Sequence, residues 1–474
     1  MRCTKIICTI GPTSKDDDSL RALIRAGMDV ARLNFSHGTI QEHTHVLQRI
    51  RVLSKEEGKV VSVLQDLCGP KLRIGAFVKG SVMLHRGQKF ILTPRQREGD
   101  ETGVSVGIQG LPELVGPGNE ILLADGDILL KVDKVDGDLV LCEVLSGGEI
   151  QSKRGIALPG VSLPLESITE KDLQDLQKGV ELGMDWIAAS FVRDAADLKR
   201  ARGILHKLGS DIPLIAKIEK REALENLDEI LEEADGVMVA RGDLGVEIPI
   251  EDVPDTQKEI IREANERGKP VIVATQMLES MVHNPRPTRA EATDVANAIL
   301  DGADALMLSA ETAVGDSPAR VVTVMDRIAR AAEKRLREKE DRSPSTLLPG
   351  EDLPSAISHG CRTIADETHA AAILCCTHSG YTARMVAKRR PFRPLIGITS
   401  QEITLRRMPL YWGVTPLLIQ STEGTDKMIH RAEDAAIAAG LVREGDLVVL
   451  TAGLPLTTPG TTNMILAHRI GDAL

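Results

Sequence analysis

Lys217 and Glu219, a cation and an anion two residues apart, end the short apolar run Pro213-Leu-Ile-Ala-Lys-Ile-Glu219. Bounded by proline and charge, that run reads as a buried strand. Side chains on a strand repeat every second residue, so Lys217 and Glu219 point to the same side. Such a pair at the end of a buried strand is costly unless it is paired or bound to something. A structural salt bridge is the ordinary reading of an isolated Lys-x-Glu, and the neighbouring runs change the weighting. Gly236-Val-Met-Val-Ala240 leads into Arg241-Gly242-Asp243-Leu244-Gly245, Pro270-Val-Ile-Val-Ala274 into Thr275-Gln276, and Ala305-Leu-Met-Leu308 into Ser309-Ala310-Glu311-Thr312. Four consecutive buried strands thus deliver polar groups at their carboxyl ends. That is the plan of a (β/α)8 barrel with its active site at the top face. Lys217 can stabilise developing negative charge there, and Glu219 and Asp243 are oxygen ligands suited to a hard divalent cation.

The N-terminal part adds more groups of the same kind. Asp29-Val-Ala-Arg-Leu-Asn-Phe-Ser-His-Gly38 reads as a strand with Arg32, Asn34 and Ser36 on one face and His37 just beyond, and the next strand ends in Asp66. A guanidinium and an ammonium beside two carboxylates suit a phosphorylated substrate held through a divalent metal. Phosphoryl transfer needs positioning and positive charge around the moving group rather than covalent help. The glycine-bearing turn at Arg241-Gly242-Asp243 can present backbone N–H groups to a carboxylate. From these residues alone the chemistry is metal-assisted work on a small anion.

The elements that must hold these groups follow a βα rhythm. Lys5–Ile10, Asp29–Gly38 and Lys59–Leu64 read as strands, with helices at Ser19–Ala26 and through about Ser54 between them. The rhythm breaks at Gly69-Pro70. From there to about Leu165 short alternating runs such as Asp138–Val144 replace helices, which reads as a small all-β domain inserted after the third strand. Placed at the carboxyl end of a barrel strand, it would sit over the active site as a lid. The rhythm resumes with a helix at Glu170–Leu182 and a strand at Asp185–Phe191. Thr288-x-x-Glu291 is a capping box opening a helix that carries Asp294 and Asn297. A long helix spans Arg320–Glu338, and Glu340–Pro354, rich in charge, Ser and Pro, reads as a linker. The final stretch, with strands at Ala371–Thr377, Leu395–Thr399, Gly413–Leu418 and Asp446–Thr451, reads as a small parallel α/β unit. The expected division is therefore a barrel over 1–69 and 166–340, an inserted β-rich domain over 70–165 and a C-terminal α/β domain over 341–474.

Composition sets outer bounds. The 474 residues call for two to four domains, and 42% hydrophobic with 27% charged residues is ordinary for a globular protein. Aromatics make up only 2%, so Val, Ile, Leu and Ala must pack the cores. A net charge of -11 argues against nucleic acid as the main partner. No apolar run reaches bilayer length and the N-terminus lacks a signal-peptide pattern, so no membrane association is expected. The seven cysteines form no Cys-x-x-Cys, which indicates neither a disulfide framework nor a zinc site and fits a reducing cytoplasm.

Five segments, in order along the chain, resemble the motifs of the pyruvate kinase family. They are Ala31–Gly38, Ile212–Leu224, Met238–Gly245, Ala274–Met281 and Leu308–Thr312, and together they are far more specific than any one alone. The resemblance spans essentially the whole chain, and it implies phosphoryl transfer from phosphoenolpyruvate to ADP, giving pyruvate and ATP, with Mg2+ or Mn2+. On that resemblance Lys217 would stabilise the moving phosphoryl group and the enolate left behind, Arg32 would contact the phosphoryl group, and Glu219 and Asp243 would ligate the metal. Gly242, Asp243 and Thr275 would hold the substrate carboxylate, with Thr275 near the proton relay that yields pyruvate. Asn34, His37, Arg73 and Arg154 would face the nucleotide, Arg154 standing where many members carry lysine. Asn34, Ser36, Asp66 and the carbonyl of Leu67 match the family's monovalent-cation site. Potassium-dependent members carry glutamate where this chain has Lys71 and threonine where it has Leu67. The Lys71 ammonium could supply the charge potassium otherwise gives, so activity without K+ is expected.

Thr377-His-Ser-Gly-Tyr-Thr382 joins a strand to a helix N-terminus, where hydroxyls and N–H groups favour phosphate. An ordinary capped turn is the alternative. The resemblance favours an effector-phosphate site at Thr377, Ser379, Gly380 and Thr382 for an allosteric sugar phosphate or nucleotide. It also implies a homotetramer. Two other readings remain: a metal-dependent aldolase or lyase acting on pyruvate enolate, which leaves the inserted domain and Arg73 without a reason, and a catalytically silent metabolite sensor, which would be expected to lose Lys217 or a metal ligand.

Overall fold

The computed structural model describes residues 2–161, 166–340, 352–421, 424–455 and 460–472. Most of the linker expected over 340–354, and the expected end of the inserted domain at 165, lie outside the described residues.

Eight parallel strands close a barrel in sequence order. They are β1 (Lys5–Thr9), β2 (Val30–Asn34), β3 (Ser62–Asp66), β4 (Trp186–Ala189), β5 (Leu214–Ile218), β6 (Gly236–Ala240), β7 (Val271–Ala274) and β8 (Ala305–Leu308). Each is short, apolar and buried, as expected where helices cover the outer face. Period-two alternation divides each strand between two cores. Ile6, Cys8, Ala31 and Val63 pack outward under the helices, while Ile7, Val30, Leu64 and Ile215 point inward. The helices carry local signals that match their ends. Helix α1 (Asp17–Ala26) has Asp16 as N-cap and stops at Gly27, whose φ of 121° suits glycine. Helix α2 (Ile40–Glu56) opens on the capping box Thr39–Glu42, and α3 (Glu170–Leu182) on Thr169–Asp172.

Between β3 and α3 lies the inserted β-rich domain. It has a six-stranded and a two-stranded sheet, and a core of its own around Phe77, Phe90, Val104 and Val132. Its longest hairpin, Ile128–Asp136 with Leu139–Ser146, turns at Gly137-Asp138, where Gly137 takes φ 58°. One four-residue helix, Leu111–Leu114, interrupts the strands. The domain leans on the barrel mouth at Gly126, close to Val246.

The C-terminal domain has four parallel strands, β9 (Ala372–Cys376), β10 (Leu395–Thr399), β11 (Val414–Leu418) and β12 (Leu447–Ala452). To these the structure adds an antiparallel edge strand, β13 (Met464–Arg469), so the sheet order is β11-β10-β9-β12-β13. The domain docks on the amino-terminal face of the barrel. Trp186 Nε1 donates to the Arg407 carbonyl at 3.2 Å, Lys5 Nζ to the Val414 carbonyl at 2.8 Å, and Arg406 pairs with Asp185 at 3.0 Å. The barrel interior and one side of this sheet share a continuous apolar core. The mouth at the opposite end is left to the inserted domain.

Candidate active site

The inward alternation places the site. Two residues beyond Ile7, Val30, Leu64, Ala188 and Ile215 stand Thr9, Arg32, Asp66, Ser190 and Lys217. The next layer up in the barrel is therefore polar, at the carboxyl ends where barrel enzymes put their chemistry. Strand register brings Asn34 beside Asp66 and Thr9 beside Arg32.

These groups form one ionic network. Lys217 Nζ lies 2.8 Å from Glu219 Oε1, donates to Ser190 Oγ at 2.7 Å, and faces Asp66 Oδ1 at 3.3 Å. Arg32 Nε donates to Asp66 Oδ2 at 2.7 Å and its Nη1 to Thr9 Oγ1 at 2.9 Å. Asp66 Oδ1 makes no directed hydrogen bond, so charge alone holds it toward the ammonium. Glu219, one residue past β5, accepts at Oε2 from the Phe191 N–H at 2.7 Å. Burial works against the Lys217 ammonium, but Asp66 and Glu219 outweigh it and hold its pKa above the ordinary lysine value. Burial likewise opposes ionised Asp66, and Lys217 and Arg32 keep it below the usual carboxylate range. Glu219 moves the other way. Burial, joined by the charge of Asp243, pushes it up against the pull of Lys217.

Asp243 lies in the first turn of a seven-residue helix, α4 (Arg241–Glu247), where the sequence suggests only a turn. The Gly242 N–H, expected to face a substrate carboxylate, donates here to Thr275 Oγ1 at 2.8 Å. Arg241 braces the arrangement. It donates to the Thr275 carbonyl at 2.8 Å and pairs with Asp294 at 2.7 Å, which gives Asp294 a structural role. Thr275 and Gln276 take φ of 70° and 55°, and Phe191 takes 55°. Left-handed backbone at non-glycine residues, one of them β-branched, is strain that the surroundings must hold. All three residues follow the carboxyl ends of barrel strands.

Lys71 Nζ stands 4.0 Å from Asp243 Oδ1. Three cations, Arg32, Lys71 and Lys217, thus share the mouth with three carboxylates, Asp66, Glu219 and Asp243. A phosphorylated acid entering this balanced set brings excess negative charge that a divalent cation would offset. Glu219 and Asp243 line one cleft of about 820 Å³ with Lys71, Arg193 and the inserted domain's Leu122 and Gly126. Among the described residues no three His, Cys, Asp or Glu side chains gather as a metal cage. Two carboxylates in an open cleft fit Mg2+, which binds through one or two carboxylates and completes its shell with substrate oxygens and water.

The remaining expected residues fall on two sides of this cleft. Asn34 accepts from the Ser36 N–H at 3.1 Å, but Ser36 lies in the turn beyond β2, off the strand face shared by Arg32 and Asn34. The reason is that β2 ends at Asn34, and the chain turns there toward α2. The Leu67 carbonyl accepts from Ser190 Oγ at 2.8 Å. Arg73 and Arg154 sit on adjacent segments at the base of the inserted domain, where Arg73 bridges Gly155 and the Ile74 N–H donates to the Arg154 carbonyl at 3.0 Å. Burial, then the charges of Arg73, Lys71 and Arg32, hold the His37 imidazole below its usual pKa.

Sequence reading passed over Ser190, Thr9 and Phe191. Ser190 and Thr9 carried the available signal, since each is a polar residue at the carboxyl end of an apolar strand.

Far from the mouth, Thr377, Ser379 and Thr382 line a second cleft of about 770 Å³ at the carboxyl ends of β9, β10 and β11. Thr377 Oγ1 accepts from the Gly380 N–H at 3.0 Å, at the start of an eight-residue helix, α5 (Tyr381–Lys388). Gly380 takes φ 89°, and buried Thr382 shares a hydrogen bond of 2.9 Å with Thr462. His378 is exposed.

A closed parallel barrel whose mouth sets a lysine among carboxylates, under a separate β domain, defines a metal-assisted barrel enzyme acting on a small anion. The family model described as "Pyruvate kinase, barrel domain" matches residues 1–322, and "Pyruvate kinase, alpha/beta domain" matches residues 355–468. The pyruvate kinase of Geobacillus stearothermophilus is 47% identical over 477 residues, covering all of this chain and 81% of that one. That of Mycobacterium tuberculosis is 43% identical over 468 residues, covering 99% of this chain and 98% of that one. The chain belongs to the pyruvate kinase family, whose members are phosphotransferases. No helix among the described residues is long and apolar enough to cross a membrane.

Proposed function

We propose that the barrel mouth transfers the phosphoryl group of phosphoenolpyruvate to ADP, with Lys217 as the group around which the transfer is organised. One observation carries this reading. The Lys217 ammonium is held by Glu219, Asp66 and Ser190 at 2.7–3.3 Å with its charge secured far above neutrality. A buried, permanently charged donor pre-aimed at an anion site does not reorganise as charge develops. Lys217 and Arg32 bind the phosphoryl oxygens, and Lys217 then faces the enolate oxygen left behind. The Gly242 N–H and the Thr275 hydroxyl, already bonded to each other, exchange that bond for the substrate carboxylate, with Thr275 near the proton relay that converts the enolate to pyruvate. Glu219 and Asp243 would hold Mg2+ or Mn2+, which would supply positive charge to offset that of the phosphorylated acid. Asn34, His37, Arg73 and Arg154 bind the nucleotide phosphates as the inserted domain closes.

Lys71 takes the part of a monovalent cation in this reading, beside the group formed by Asn34, Ser36, Asp66 and Leu67. An ammonium 4.0 Å from Asp243 and near His37 supports activity without K+. The Thr377–Thr382 loop is read as the binding site of a phosphorylated effector, supported by a helix start within a hydroxyl-lined cleft. A homotetramer and a cytoplasmic setting complete the proposal.

Phosphorus NMR of phosphoenolpyruvate, ADP and Mg2+ with the protein tests the reading. ATP resonances should grow as the phosphoenolpyruvate signal falls, and chelation of the metal should stop both. Loss of phosphoenolpyruvate without ATP formation would overturn it in favour of lyase or phosphatase chemistry.

A further inference from the structure

Both chain crossings between the barrel and the inserted domain meet a single carboxylate. The outgoing crossing leaves β3 through Leu67-Cys68-Gly69, and the returning one enters α3 at Thr169. Asp172, fully buried, accepts at Oδ1 from the N–H groups of Cys68 at 3.1 Å and Gly69 at 3.2 Å. At Oδ2 it accepts from the Thr169 N–H at 3.0 Å and hydroxyl at 2.6 Å. An N-terminal cap needs only the second pair. The first pair reaches more than a hundred residues back along the chain and does nothing for the helix.

The same junction is tied to the reacting centre. Ser190 Oγ donates to the Leu67 carbonyl at 2.8 Å and accepts from Lys217 Nζ at 2.7 Å. Gly69 takes φ 64°, and a Cβ there would lie 2.8 Å from the Phe191 ring and 2.9 Å from Ser190 Cβ. The outgoing crossing is thus clamped from two sides, by Asp172 beneath and Ser190-Phe191 beside it. The inserted domain has its own core, so a rotation about these crossings would carry it as one body.

We propose that Asp172 is the pivot of the inserted domain, a positioning residue that refers both crossings to the barrel mouth. Resting on the phosphotransfer reading, this role sets where Arg73 and Arg154 arrive relative to Lys217 when the domain closes. The enolate chemistry needs only barrel groups, whereas transfer to ADP needs the inserted domain as well. The two half-functions therefore separate at Asp172.

Asp172→Asn tests this, because an amide can accept at one crossing but must present a donor to the other. By microscopic reversibility the barrel groups that protonate the enolate also exchange the methyl protons of pyruvate. We expect the variant to lose about tenfold or more in kcat/KM for ADP-dependent transfer, while pyruvate methyl exchange into D2O, with Mg2+ and no nucleotide, stays within about twofold. Amide hydrogen exchange should rise in residues 66–74 and 152–161 and stay unchanged in 212–219, a readout that stands whichever reaction the mouth performs. Thr169→Val, which removes the hydroxyl that donates to Asp172 Oδ2 and caps the Asp172 N–H but keeps the carboxylate and both N–H groups of the outgoing crossing, should show the same pattern more weakly and covers the case in which the first variant fails to fold. Equal losses of transfer and methyl exchange, or unchanged hydrogen exchange at both crossings, would overturn the pivot.

Discussion

The barrel mouth and the C-terminal cleft are built by the same device, loops at the carboxyl ends of parallel strands, yet they are lined by opposite chemistry. The mouth holds Lys71, Arg193, Glu219, Lys220, Asp243 and Glu247, while the described residues lining the C-terminal cleft are Thr, Ser, Gln, His378, Tyr381 and small or apolar ones, with no Lys, Arg, Asp or Glu among them. Paired charges in a buried mouth are preorganised, and removing one leaves another exposed to a low dielectric. Neutral hydroxyls and N–H groups can bind a phosphate but cannot drive its transfer. Strain is divided in the same way. Phe191, Thr275 and Gln276 carry left-handed backbone at the mouth, whereas glycine takes that conformation at Gly380 in the C-terminal loop. The proposed division of labour follows this contrast, with charge and strain stored where chemistry is assigned and neither stored where effector binding is assigned.

The largest break in this contrast is Lys217→Met. It should lower kcat by about 10³-fold or more, since the proposed mechanism makes the ammonium the principal charge meeting the phosphoryl group. It also leaves Asp66 and Glu219 buried with less compensation, so stability should fall by about 3–5 kcal/mol in urea unfolding. A variant of full activity would mean that Lys217 is only a structural partner of Glu219.

Acid should separate the two regions next. Asp66 and Asp29 are held below their usual pKa, each against the penalty of burial, by Lys217 and Arg32 and by Arg2, Lys59 and Lys5 respectively. A depressed carboxylate contributes stability that is present above its unfolded value, about 3.9, and is lost as pH falls through the folded value. In the C-terminal domain Glu433 is raised by burial, against His468 and His430, so acid favours its folded form. Hydrogen exchange followed downward from about pH 4 should therefore show β1–β3 and β5 opening before β9 and β12. Simultaneous opening would show that the docked interface, not the charge network, sets acid stability.

The smallest effect is expected at the C-terminal loop. Thr377→Val removes the acceptor of the Gly380 N–H and one hydroxyl of the cleft, and should weaken binding of a sugar phosphate about 3–10-fold by calorimetry. Unchanged affinity would mean that the loop is an ordinary capped turn.

Much of this was legible in the sequence because it is local. The run ending at Lys217 and Glu219, the strand at Gly236–Ala240 and the helix at Glu170–Leu182 follow from apolar period and flanking charge. What escaped is what distance decides. Arg241-Gly242-Asp243-Leu244-Gly245 reads as a turn because two glycines disfavour a helix, and the structure secures it through Thr275 and Asp294, more than thirty residues on. Asp172 reads only as part of the helix at Glu170–Leu182, and nothing near it in sequence points to Cys68 and Gly69. Strand β13 is half exposed at a sheet edge, so its Met-Ile-Leu-Ala run lacks the alternation that marks a strand with one buried face.

The most direct test is pyruvate formation from phosphoenolpyruvate and Mg2+ in potassium-free buffer, with and without ADP. We expect pyruvate only when ADP is present, at a rate that added K+ leaves unchanged, as the role proposed for Lys71 requires. Pyruvate only after addition of K+ would retain the kinase and remove Lys71 from it. Pyruvate formed equally without ADP would contradict phosphoryl transfer at the mouth.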